Sequence, residues 1–153
     1  MKYASLGSIS SGTEDLLEFH IDLGDDADRF NRLDSFTRGY VEAMFFTEDT
    51  EGHLGSFADV SQTMLVEVVA DCQRFQEENA KLLQRAYARW TECGEKPYDA
   101  ERAGNDFWYT RNHHGVGFWD RDLGKVGDEL TTAAHAYIEK GLYCGDDDLL
   151  YLA

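Results

Sequence analysis

The sequence predicts an α+β fold, a single mostly helical domain over residues 1–153 with a small antiparallel β-sheet that includes a C-terminal hairpin. Three observations carry this reading. From Ala58 to about Thr91 apolar residues recur at helical spacing: Val60, Met64, Val68, Cys72 and Phe75 form one stripe, which Leu82, Ala86 and Trp90 resume. Leu142-Tyr143-Cys144 and Leu149-Leu150-Tyr151-Leu152 flank the turn residues Gly145-Asp146-Asp147-Asp148, the pattern of a hairpin. Leu17, Phe19, Ile21 and Leu23 alternate with Glu18, His20 and Asp22, the period of a half-buried strand.

Residues 1–12 read as a flexible, small-residue lead-in. The strand near Phe19 closes at Gly24-Asp25-Asp26 and is expected to join the C-terminal hairpin in one sheet, with His20 on its polar face. Phe30, Leu33, Phe36, Tyr40 and Met44 then place a helix within Ala27 to Phe46, with a break near Asp34 and Ser35, either of which suits a helix N-cap. Gly39 inside it either admits the close approach of another element or weakens the helix. Thr47 to Ser56 is an acidic loop, and solvation is the expected state of its Glu48, Asp49, Glu51 and His53. In the long helix Glu67, Asp71, Arg74, Glu77, Glu78, Lys81 and Arg85 form the solvent face, and Asn79 marks a bend or a polar contact. Gly94 and Pro97 end it. Asp99 caps a helix in which Ala100, Ala103, Phe107 and Arg111 share a face, and His113 to Gly117 is the turn that follows. Phe118-Trp119 are expected to pack back, and a last helix runs from about Arg121 to Glu139 on a stripe of Leu123, Val126, Leu130, Ala134, Tyr137 and Ile138.

Composition bounds the function. There are 153 residues with a hydrophobic fraction of 42%, ample for one core. No apolar run approaches the roughly 18 residues that a membrane span needs. The N-terminal stretch, with one Lys and no continuous apolar segment, is not expected to act as a secretory signal. Thirty acidic against fourteen basic residues leave a net charge of −16. A field of that sign repels nucleic-acid backbones and anionic lipid and attracts basic partners, so neither direct nucleic-acid binding nor membrane binding is expected. Cys72, Cys93 and Cys144 show no zinc or redox spacing, which fits reduced thiols in a cytoplasm.

The stretch from Tyr98 to Gly127 concentrates the chemistry-bearing residues. Asp106, Arg111, His114 and Asp120 are the candidate catalytic group, because two carboxylates with a histidine suit general acid–base work. The opposing expectation is a buried polar turn that satisfies itself. Adjacent His113 and His114 diverge on any regular backbone, and HExxH is absent, so no metal and no cofactor is expected. Phe107, Trp108, Phe118 and Trp119 read as a core clasp between helices, whereas an exposed Trp108 or Trp119 would mark a binding hot spot.

Asp71 to Leu83 (DCQRFQEENAKLL), Ala103 to Arg121 (AGNDFWYTRNHHGVGFWDR) and the GLYCGDD hairpin resemble a family of small uncharacterised proteins encoded by phages and prophages, over most of the chain beyond Leu33. The relatives carry Gly at the position of His113, which implies that His114 is the histidine of interest. The resemblance carries no activity; it implies expression in the cytoplasm of a bacterial host during infection. From that setting and the charge we expect an acidic binding protein that contacts a basic host protein, of the nucleic-acid-binding or defence kind, by mimicking nucleic acid. Asp and Glu cluster from Glu14 to Asp28, from Glu42 to Glu51 and at Asp146 to Asp148. The expected contact residues are Asp25, Asp26, Asp28, Glu48, Asp49 and Glu51. A small metal-dependent or acid–base hydrolase centred on Asp106 to Asp120, an accessory protein whose acidity confers only solubility, and a homodimer stay open.

Overall fold

The computed structural model describes residues 3–5, 20–22, 24–48, 55–89 and 98–153. Strands β1 (Tyr3–Ser5) and β2 (His20–Asp22) pair antiparallel with Tyr3 opposite Asp22. Helices α1 (Ala27–Asn31) and α2 (Ser35–Glu48) follow, then a 3-10 turn at Phe57–Asp59 and helices α3 (Gln62–Glu78) and α4 (Ala80–Arg89). Helix α5 (Ala100–Arg111), a 3-10 turn at Phe118–Asp120, helix α6 (Lys125–His135) and the hairpin of β3 (Leu142–Cys144) and β4 (Leu150–Leu152) complete the order.

The fold is α+β, as expected, but among the described residues the strands form two separate two-stranded sheets, β1–β2 and β3–β4. The strand near Phe19 does not join the hairpin; its partner lies within the stretch read as a lead-in. The hairpin's inner edge is already occupied, because Val60 forms a parallel bridge to Leu150 and the Ser61 N–H donates to the Leu150 carbonyl at 3.0 Å.

Helix α5 is the centre of the molecule. Every residue from Ala103 to Arg111 is buried, on polar and apolar faces alike. Asp99 caps it, its carboxylate accepting from the Arg102 N–H at 2.9 Å. Helix α2 lies against it, nearly all of Phe36 to Phe45 buried. Two glycines let the backbones touch. A Cβ at Gly39 would collide with the carbonyl of Glu101, and one at Gly104 with the carbonyl of Phe36. The amide of Asn105 donates to the Gly39 carbonyl at 2.6 Å, fixing the crossing. Around it Phe75 stacks on Phe107 at 4.2 Å between ring centroids, and Tyr40 meets Trp108 edge-on at 5.3 Å.

Both expected helix interruptions are present. The Asp34 carboxylate accepts the Thr37 N–H at 2.7 Å and starts α2. Asn79 folds its side chain back onto the Phe75 carbonyl at 2.9 Å, separating α3 from α4. Cys72 packs in the core. Asp71, expected on the solvent face, is half-buried and paired with Arg111, as described below. The last helix is shorter than expected. Asp122 and Gly124 adopt φ of 57° and 62°, outside the helical range, so α6 begins at Lys125. It ends at His135, and Ile138 beyond it is 70% exposed instead of continuing the apolar stripe. Cys93, Gly94 and Pro97 lie outside the described residues, as does Trp90.

Candidate functional site

A helix buried on all sides is expected to be apolar, yet α5 carries Asn105, Asp106, Thr110 and Arg111 inward. Each is matched. Asp106, with no exposed surface, accepts a hydrogen bond from the Tyr98 hydroxyl at 2.6 Å and is gripped by Arg121 through Nε at 3.1 Å and Nη2 at 2.8 Å. Burial raises this carboxyl above the usual Asp range while Arg121 and Tyr98 pull it back. Burial, then the neighbouring Asp106, also pushes the Tyr98 phenol well up. Thr110 Oγ1 accepts the Phe118 N–H at 3.2 Å. Arg111 donates to Asp71 at 2.9 Å, to the Tyr40 hydroxyl at 3.0 Å and twice to the Ile138 carbonyl, while its guanidinium lies over Phe107 and Tyr137. One cation thereby ties α5 to α2, to α3 and to the segment before β3.

The four candidate catalytic residues engage different partners. Asp106 faces Tyr98 and Arg121, whereas Arg111 faces Asp71 and Tyr40 on the other flank of α5. His114 is half-buried, its ring edge-on to Tyr109 at 6.0 Å and its N–H donating to the Tyr109 carbonyl. Asp120 is exposed. The two adjacent histidines diverge: His113, at φ 57°, stacks on His135 at 4.6 Å. No group of three or more His, Cys, Asp or Glu side chains among the described residues converges as a metal site. The polar side chains of α5 are thus met by partners in the fold, with Asp106 in an ion pair with Arg121 and Arg111 in one with Asp71.

The candidate contact residues divide. Asp25 and Asp28 are exposed. Asp26 pairs with Arg29 at 2.6 Å, and Arg29 in turn donates to the carbonyls of Phe57 and Val60. Glu48 is half-buried and accepts the Leu142 N–H at 3.0 Å, tying the end of α2 to the hairpin. Asp49 and Glu51 lie outside the described residues, as does His53. Of the two tryptophans in the central stretch, Trp108 is fully buried with its indole N–H on Thr47 Oγ1 at 2.8 Å, but Trp119 is 42% exposed. The Trp119 ring lies where a Cβ on residue 117 would stand, so Gly117 is what lets it fold over the backbone.

Two features escaped the sequence reading. Glu42, at the head of the acidic cluster that runs to Glu51, is 2% exposed, and neither carboxyl oxygen has a hydrogen-bond partner among the described residues. Burial, then the nearby Glu101, pushes its carboxyl up to about 9, against a weaker opposing effect of Arg38; Glu101, raised by burial and Asp99, sits at about 7. The signal was its setting in Val41-Glu42-Ala43-Met44-Phe45, a lone charge in an apolar run. The second feature is the aromatic pair on the outer face of the expected hairpin, where Tyr143, 46% exposed, stacks on Tyr151 at 5.7 Å beside the exposed Asp146, Asp147 and Asp148.

No helix of the described residues is long and apolar enough to cross a membrane. Comparison with known proteins gives no matching family model, curated protein or solved structure.

Proposed function

We propose that this chain is a non-enzymatic acidic binding protein whose surface carboxylates engage a basic protein of a bacterial host, one that ordinarily handles nucleic acid. The observation that carries this reading is the contrast between interior and surface charge. Inside, Asp106 and Arg111 are held in bidentate or multiple hydrogen bonds. Outside, Asp25 and Asp28 are exposed and take part in no ion pair among the described residues. Carboxylates left unpaired on a chain of net charge −16 are available to a surface built to neutralise phosphates. The half-exposed Trp119, fixed over Gly117, supplies the kind of rigid aromatic anchor that concentrates binding energy. The phage setting rests on the resemblance of the central motif and the hairpin.

The test is capture of partners from bacterial lysate by the tagged protein at low and high salt, alongside an Asp25→Lys, Asp28→Lys double variant. A basic nucleic-acid-handling protein that is retained at low salt, released at high salt and lost in the variant is the expected result. Equal retention by the variant would remove these two carboxylates from the interface, and the absence of any salt-sensitive partner would leave the acidity as a solubility feature.

A further inference from the structure

Alternation along the C-terminal hairpin gives it two unlike faces. Leu142 and Leu150 point inward, buried, with Leu152 beside them, and β4 packs on α3. Tyr143 and Tyr151, directly opposite in the register, point outward and stack with ring planes 26° apart. On this outer face Tyr143 is 46% exposed and Tyr151 half-exposed. The face borders an open groove of about 580 Å³ lined by Tyr143, Cys144, Gly145, Asp146, Asp147 and Tyr151, with no Lys or Arg among the described lining residues.

The face is a rigid platform. Leu142 N–H is held by Glu48, Leu150 C=O by Ser61, and Gly141 and Ala153 exchange both backbone hydrogen bonds at 3.0 and 2.9 Å. At the tip Asp148 takes φ 65°. Asp147 is engaged locally, accepting from the Tyr151 hydroxyl at 2.5 Å and the Leu149 N–H at 3.1 Å, which fixes the Tyr151 ring. The carboxylates of Asp146 and Asp148 accept no hydrogen bond among the described residues. The ring faces and the unengaged carboxylate of Asp146 in the groove, with exposed Asp148 two residues on in the same turn, match one side chain best. A guanidinium is planar, stacks on a phenol face and forks onto a carboxylate, and it is more weakly hydrated than an ammonium.

We propose that the outer face of the β3–β4 hairpin docks an arginine-bearing segment of a basic partner protein, with the guanidinium on the Tyr143–Tyr151 pair and Asp146 and Asp148 as its counter-charges. This rests on the acidic-binding reading and adds a contact on carboxylates other than Asp25 and Asp28. The experiment is fluorescence anisotropy with two labelled octapeptides, one alternating Arg and Gly, the other Lys and Gly, with circular dichroism to verify that each variant is folded. The Arg peptide is expected to bind more tightly than the Lys peptide by about threefold or more. Tyr143→Ala should weaken it about fivefold, with Tyr143→Phe restoring it because the ring face is kept. Asp146→Asn with Asp148→Asn should weaken it by a similar factor, and Asp25→Asn with Asp28→Asn should leave it within about twofold. Equal binding of the two peptides, or wild-type affinity in Tyr143→Ala, overturns the proposal. A lysate partner still captured by the Tyr143→Ala, Asp146→Asn, Asp148→Asn variant would overturn the hairpin as its docking site while the acidic-binding reading stands. Failure of that broader reading shows instead as no salt-sensitive partner for the wild-type chain.

Discussion

Glu42 is the residue whose ionisation the fold resists most clearly. The residue is 2% exposed, its carboxyl lacks hydrogen-bond partners among the described residues, and it faces Glu101 and Arg38. The folded value of about 9 stands far above the 4.5 of the unfolded chain. Between those pH values the folded state holds a proton that the unfolded state has released, so this residue's contribution to stability is whole below pH 4.5 and is lost as pH rises toward 9. A shift of that size withdraws on the order of 5 kcal/mol across the window. Glu42→Gln, neutral at every pH and of the same shape, is therefore expected to match the wild type near pH 5 and to exceed it in Tm by a widening margin up to pH 9. Parallel Tm–pH curves for the two proteins would show that Glu42 does not titrate in this way. Arg111 poses the opposite case, a buried cation with four good acceptor contacts. Arg111→Ala orphans the Tyr40 hydroxyl and the Ile138 carbonyl and opens a cavity, and about 3–5 kcal/mol of stability should go with it in urea unfolding. Asp71→Asn leaves an amide oxygen to accept from Arg111 and removes only the charge, at a half-exposed position, and a loss of about 1–2 kcal/mol is expected. An equal loss in the two variants would mean that the ion pair alone, and not the set of bonds on Arg111, holds the three elements together.

Among elements, the crossing of α2 and α5 depends on the absence of two side chains. Intrinsic propensity favours Ala over Gly inside a helix by about 1 kcal/mol, so Gly39→Ala and Gly104→Ala would stabilise either helix alone. At this crossing each added Cβ meets a backbone carbonyl of the opposing helix, which cannot swing aside as a side chain can. Each substitution is expected to lower stability by about 2 kcal/mol or more. The double variant should lose less than the sum, because helices already forced apart by one methyl accommodate the other. Strict additivity in denaturant melts would argue against a shared contact. Much at this scale was legible in the sequence. The break at Asp34–Ser35, the interruption at Asn79, the Asp99 cap and the hairpin all follow from local chemistry, and Gly39 carried one of its two readings correctly. Pairing between distant segments was not legible. Asp106 and Arg121 lie 15 residues apart, and Asp71 and Arg111 lie 40 apart. Nothing local tells which carboxylate meets which guanidinium, so Asp71 read as solvated and Asp106 and Arg111 read as one site. The same limit applies to β2, whose periodicity gave a strand but not its partner.

For the molecule as a whole, charge and binding are two effects of one field. The net charge of −16 was countable from the sequence, but its division into interior and surface was not, since Glu42 and Asp106 are buried while Asp146 to Asp148 crown a turn. Surface carboxylates repel one another across the folded protein and attract any basic partner, and salt screens both interactions. The screening length falls from about 10 Å at 0.1 M to about 3 Å at 1 M. Raising NaCl across that range should therefore stabilise the free protein, by about 1 kcal/mol or about 3 °C in Tm, while weakening its complex. Neutralising Asp25, Asp28, Asp146 and Asp148 together to Asn should flatten both dependences, because the same carboxylates generate them. Thermal melts and peptide titrations over one salt series read the two slopes in a single set of samples. A variant whose melting loses its salt dependence while its binding keeps the wild-type slope would separate the effects, and would place the partner's charge contacts on carboxylates other than these four.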